Sequence, residues 1–245
     1  MKSLIIYYSQ TGNTKKIADY IAKGIQNVTG QCDLKRLKEV TEEDWLEYDL
    51  IGCGSSIWSS CPNTRMIYMV KELPEAVKGK HAFFFCTHGV LPGRCVARGV
   101  QPMLDKGLTV LGWKDWYAPC CVPGHSKPWF TDGHFDDADL LDAEKFGEAM
   151  AEHSRRVSAG NTEILPTLPS LEAWDEFYGV GHPFLFKARP VGIGEGGAPE
   201  PEDVEPYILK WPTTMNYVSQ LEGIGNTEGP KASADQMRIN PDKCI

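Results

Sequence analysis

Leu4, Ile5, Ile6, Tyr7 and Tyr8 form a short apolar run that gives way to polar residues at 9–14 and then to a different rhythm. Ile17, Ile21 and Ile25 recur every four positions, with Ala18 and Ala22 beside them and Lys15, Lys16 and Lys23 on other faces. A continuous apolar run bounded by polar residues predicts a buried strand, and a four-residue recurrence predicts one apolar stripe on a helix. The alternation continues, with strands predicted at 32–37, 49–54, 81–86 and 108–118, helices at 62–73, 94–106 and 138–158, and a loop at 87–93. Five strands alternating with helices predict an α/β domain whose doubly wound, five-stranded parallel sheet is covered on both faces by right-handed crossovers.

The pattern fades after residue 160. Residues 161–245 hold 10 of the 17 prolines and 9 of the 24 glycines, with short helices predicted only near 171–177 and 213–221. Their eight aromatic residues are too many for a free linker. The expectation is a domain over 1–160 followed by a long irregular arm over 161–245, packed on that domain or on a second copy of the chain in a homodimer.

The loop Ser9-Gln10-Thr11-Gly12-Asn13-Thr14 joins the first strand directly to the first helix, so it sits on a helix N-terminus. Orphan N–H groups and the positive end of the helix dipole favour an anion there. Ser9, Thr11, Asn13 and Thr14 add side-chain donors, and Gly12 lets the backbone come close. The run lacks the Gly-Lys-Ser/Thr of a nucleoside-triphosphate loop and the Gly-x-Gly-x-x-Gly of a dinucleotide fold. Hydroxyls without a cation suggest a phosphomonoester, such as that of FMN; the alternative is an ordinary capped strand-to-helix turn.

This run resembles the phosphate-binding loop of the flavodoxin family, Ser/Thr-x-Thr-Gly-Asn-Thr after the first strand, and every motif position is matched. Over residues 1–160 the resemblance implies strand order 2-1-3-4-5, FMN as cofactor, and a site at the carboxyl ends of the strands. It places Ser55, Ser56, Ile57, Trp58 and Ser59 in a loop covering one face of the isoalloxazine, with Trp58 either against the ring or packed on the following helix. It also assigns Thr87, His88, Gly89, Val90 and Gly93 to the loop at the pyrimidine edge. His88 would hydrogen-bond the flavin or a protein carbonyl, and Arg94 would be a solvated first-turn residue.

Charge is unevenly spread. The chain carries −8, of which residues 1–160 supply −1 and residues 161–245 supply −7. The balance argues against nucleic acid, and a near-neutral domain departs from the acidic surface with which diffusing flavodoxins steer toward partners. No apolar run approaches the roughly 20 residues that span a bilayer, and no secretory signal is evident, so no membrane insertion and a cytoplasmic location are expected. The eight cysteines have no Cys-x-x-Cys spacing and read as reduced thiols, with Cys53 and Cys86 as small buried hydrophobes and Cys61 a passive thiol near a helix start. His125, His134, Asp132, Asp136 and Asp137 match no metal pattern and read as a solvated acidic stretch.

The last residues, Ile239-Asn240-Pro241-Asp242-Lys243-Cys244-Ile245, resemble the approach to the first cluster cysteine of bacterial ferredoxins. One cysteine cannot hold an iron–sulfur cluster, which needs four ligands. The resemblance implies the flavodoxin portion of a flavodoxin–ferredoxin fusion, with clusters only in a following domain. The leading expectation is FMN-based electron transfer to an iron–sulfur domain or partner, with no acid, base or nucleophile required. The alternatives are an FMN-dependent reductase of quinones or other small acceptors, and a flavin-free interaction module.

Overall fold

The computed structural model of the chain describes residues 1–57, 61–89, 92–120 and 131–170. The order is β1 (Ser3–Tyr8), α1 (Asn13–Thr29), β2 (Asp33–Arg36), α2 (Glu42–Glu47), β3 (Leu50–Ser56), α3 (Thr64–Lys71), β4 (His81–His88), α4 (Cys95–Asp105), β5 (Thr109–Tyr117) and α5 (Asp137–Ser158). All strands pair parallel in one sheet of order β2-β1-β3-β4-β5, as the alternation and the resemblance implied. No helix among the described residues is long and apolar enough to cross a membrane. The helices expected near 171–177 and 213–221, and the whole of the arm after residue 170, lie outside the described residues.

The two sheet faces carry separate cores. Ile5, Phe83, Phe85 and Trp116 pack under α1 and α5, whereas Leu4, Ile6, Phe84 and Trp113 pack under α2, α3 and α4. Phe83, Phe84 and Phe85 are all fully buried because a central parallel strand is covered on both sides. Each contributes about 1.5–3 kcal/mol by leaving water. α1 and α5 approach closely through reciprocal glycines: a Cβ on Gly24 would overlap the Glu144 carbonyl, and one on Gly147 would overlap the Ile21 carbonyl.

Three local features depart from expectation. α2 was not foreseen; Thr41 caps it with Asp44 in a capping box, and its Trp45 is fully buried. β4 continues through Thr87 and His88, which were expected to begin a loop, because β3 and β5 extend the ladder on either side (Ser56 opposite Thr87, His88 opposite Tyr117). Two neighbouring ladders outweigh the weak strand propensity of polar residues. Finally, β5 holds an irregularity: Ala82 pairs with Val110 but Phe83 with Gly112, leaving Leu111 as the extra residue. A one-residue slip exchanges the faces of every following side chain. Asp115 and Tyr117 therefore stand on the same face as His88, while Lys114 and Trp116 turn to α5, where both bond Asp142.

Candidate functional site

The described parts of the three predicted loops meet at the carboxyl ends of β1, β3 and β4. Gly12, the N-cap of α1, has φ +92°, and the space above it is open. The Gly12 N–H donates to Ser9 Oγ at 3.1 Å, closing the turn, and Lys16 N–H donates back to the Gly12 carbonyl at 2.9 Å. Gln10, Thr11 and Gly12 are exposed, and Ser9 and Asn13 half-buried. This leaves hydroxyls and helix-end N–H groups open to an anion.

Thr14 behaves differently from its neighbours. It is buried, and its hydroxyl lies 2.8 Å from that of Thr87 on β4. The Thr87 carbonyl accepts the Ile57 N–H at 3.2 Å, so one residue ties the first, second and third loops together. Asn13 Nδ2 donates to the Pro119 carbonyl at 3.4 Å, drawing in the segment after β5.

In the second loop Ser55 turns inward. It is fully buried, donates to the Ser56 carbonyl and accepts the Asn63 N–H, which fixes the entry to α3. Ser56 Oγ is buried without a hydrogen-bond partner among the described residues, an unmet donor at the mouth of the site. Ile57 is half-buried and packs on the core beneath α3. In the third loop the Gly89 carbonyl accepts from the Thr131 hydroxyl at 3.3 Å, and Cys120 presses so near that a Cβ on Gly89 would meet its Cβ at 3.0 Å. Gly93 has φ +51°, a conformation suited to glycine. Trp58, Ser59 and Val90 lie outside the described residues.

His88 is the last residue of β4 and not a loop residue, and among the described residues its side chain bonds no carbonyl. Its Nε2 lies 2.8 Å from Asp115 Oδ2, and both side chains are buried. Burial pushes the Asp115 carboxyl above the usual range, against the pull of His88 and Lys114. His134 likewise departs from the expected solvated stretch: it is buried, with Nδ1 2.6 Å from Asp139 Oδ2. Asp136 is the N-cap of α5, exchanging bonds with Asp139 in a capping box. Arg94 precedes α4 as its N-cap and is half-buried. Cys53 and Cys86 are fully buried, as expected. Sequence reasoning passed over Asp115, although a carboxylate between Trp113 and Trp116 in an apolar strand signals a partner, since aspartate is seldom fully buried unpaired.

A parallel sheet with a helix start at the switch between its first and third strands defines a doubly wound α/β protein, a fold class in which ligands bind outside the carboxyl edge of the sheet. Residues 4–109 match the family model described as Flavodoxin domain. Over 55 residues it is 44% identical to the flavodoxin of Aquifex aeolicus strain VF5, covering 22% of this chain and 30% of that protein. Over 57 residues it is 33% identical to protoporphyrinogen IX dehydrogenase [quinone] of Escherichia coli strain K12, covering 23% and 32%. These matches span about a third of each relative's length. The solved structure of a flavodoxin from the domain Archaea superposes with TM-score 0.51 at 23% identity, covering 63% of this chain and 99% of that one.

Proposed function

We propose that the domain binds FMN non-covalently and transfers electrons through it. The observation that carries this reading is the open hydroxyl loop on the start of α1, tied through Thr14 and Thr87 to the two loops that would flank a ring. Ser9, Thr11, Asn13 and the first N–H groups of α1 hold the phosphate; Thr14 acts from inside, holding the loop in place. Ser55 shapes the second loop, and the unmet Ser56 hydroxyl suits a polar ligand atom. Trp58 and Ser59 cover one ring face, and Gly89, Val90 and Gly93 present backbone to its edge. When bound, FMN supplies the one- and two-electron chemistry; the protein binds, orients and excludes water.

The partner in this reading is an iron–sulfur protein or domain. It rests on the run Asn240-Pro241-Asp242-Lys243-Cys244-Ile245, on the near-neutral charge of residues 1–160, and on the arm, which would set the distance to that partner. A second reading, an FMN-dependent reductase of quinones, is favoured by the similarity to a quinone-dependent dehydrogenase. Steady nicotinamide–quinone turnover supports the reductase; rapid exchange with a ferredoxin but negligible turnover supports the carrier.

The binding test is a fluorescence titration of the full chain with FMN and with riboflavin, which lacks the phosphate. FMN should bind at least ten-fold more tightly, and a Ser9→Ala/Thr11→Ala variant should lose most of that advantage while keeping its riboflavin affinity. Equal affinities for the two flavins would falsify the phosphate assignment, and absence of both would leave the interaction-module reading.

A further inference from the structure

At the carboxyl ends of β4 and β5 two buried histidine–carboxylate pairs each bring an imidazole against the same tyrosine ring. His88 and Asp115 are 2.8 Å apart with side chains 2% exposed, and His134 and Asp139 are 2.6 Å apart at 6% and 8%. The Tyr117 ring meets His88 at 4.9 Å and His134 at 5.4 Å between centroids. Phosphate and ring binding as described above use neither pair. In each imidazole one nitrogen serves the carboxylate and the other, His88 Nδ1 or His134 Nε2, is buried without a hydrogen-bond partner among the described residues.

The pairs differ in what else they do. Asp139 also accepts the Asp136 N–H and, with Asp136, closes the start of α5, so its position has a structural reason. Asp115 lies within a strand and caps nothing. A carboxylate there is costly to bury, and with one imidazole as partner the pair changes its net charge by gaining or losing a single proton. In a low-dielectric interior such a pair responds to a neighbouring charge far more strongly than an exposed group would. His88 immediately precedes the third loop, and its neighbour Thr87 bonds both other loops.

We propose that His88 and Asp115 form a redox-linked proton site, which binds one proton when electrons reach the bound flavin. The inference rests on the FMN reading above. An electron from an external one-electron donor passes to the flavin, so the donor is oxidised and the flavin reduced. A proton from bulk water forms a bond with the imidazole or its carboxylate partner, offsetting the negative charge added at the carboxyl edge. No other bond is made or broken. Among the described residues, the titratable groups around the pair are Tyr117 and Lys114 on its own strand, Cys86 on β4 with its hydrogen-bond partner Cys95 on α4, Asp142 on α5, and the His134–Asp139 pair beyond Tyr117. Lys114 and Asp142 bond each other at 2.6 Å, and Asp139 serves the helix cap, leaving His88–Asp115 as the pair free to change its proton count.

The experiment uses the full chain loaded with FMN and reduced with dithionite. Imidazole NMR titrations should show one buried histidine whose midpoint moves to higher pH on reduction, and that resonance should vanish in His88→Gln. The flavin midpoint potentials of the wild type, followed from pH 5 to 9, should contain a pH-dependent segment that His88→Gln and Asp115→Asn both lose. A wild type in which no histidine shifts on reduction overturns the proposal without needing any variant to fold. Variants that bind FMN and keep the wild-type pH profile overturn it while leaving the FMN reading intact. Failure of the wild type to bind FMN overturns both.

Discussion

The hydroxyls of Thr14 and Thr87, 73 residues apart in the chain, lie 2.8 Å from each other in the buried seam between the start of α1 and the end of β4. This contact holds the loop at 9–14 against the strand that leads into the third loop. Replacing either hydroxyl leaves the other buried and unpaired, so Thr14→Val or Thr87→Val should each cost about 1–3 kcal/mol in urea unfolding. The double variant should recover part of that loss, because both polar groups are gone. FMN affinity should stay reduced in all three, which separates positioning of the loop from stability of the fold.

Gly24→Ala should destabilise the fold more than an ordinary glycine-to-alanine change. On helix propensity alone alanine would gain about 1 kcal/mol, but here the new methyl collides with the Glu144 backbone of α5. Backbone cannot swing aside as a side chain can, so the helices must separate and the core beneath them opens. A lowered urea midpoint, measured with the far-ultraviolet spectrum retained, checks this; an unchanged or raised midpoint would show that α1 and α5 are not so closely apposed.

Acid should weaken the fold through His153. Burial holds its imidazole below the ordinary value, although its bond to the Leu111 backbone pulls the other way. Between that lowered value and the ordinary value of 6.5, the unfolded chain binds a proton that the folded chain refuses. Stability therefore rises with pH through this window and is lost on acidification. Burial shifts His81, half-buried at the start of β4, in the same direction. The urea midpoint should fall between pH 7.5 and 5.5, and His153→Gln should make that fall smaller.

The buried thiols should be inert in the native protein. Burial pushes Cys32 up to about 12 and raises Cys53 and Cys86 well above the usual thiol range, so almost no thiolate forms at pH 8. Brief treatment with iodoacetamide followed by peptide mapping should label half-exposed Cys61 and leave these three unmodified until the chain is unfolded. Early modification of Cys53 would mean that the core beneath α3 and α4 opens readily.

Much of this protein was legible along the chain. The apolar run at 4–8 and the four-residue repeat from Ile17 to Ile25 specify a strand and a helix by local periodicity alone, with the polar run at 9–14 as the turn between them. Those features depend on neighbours within a few residues, so sequence order suffices to show them. His88 and Asp115 could not be joined in that way. Their pairing depends on β4 extending past its apolar run, which the ladders of β3 and β5 enforce, and on the extra residue Leu111, which turns Asp115 to the His88 face. A one-residue bulge leaves no clear mark on the sequence because Val110, Leu111 and Trp113 are apolar on either face. Sequence by itself determined the order of elements and the strand-loop-helix start of the chain; only the packed sheet decided which buried groups share a face, because strand register is settled between chain segments and not within them.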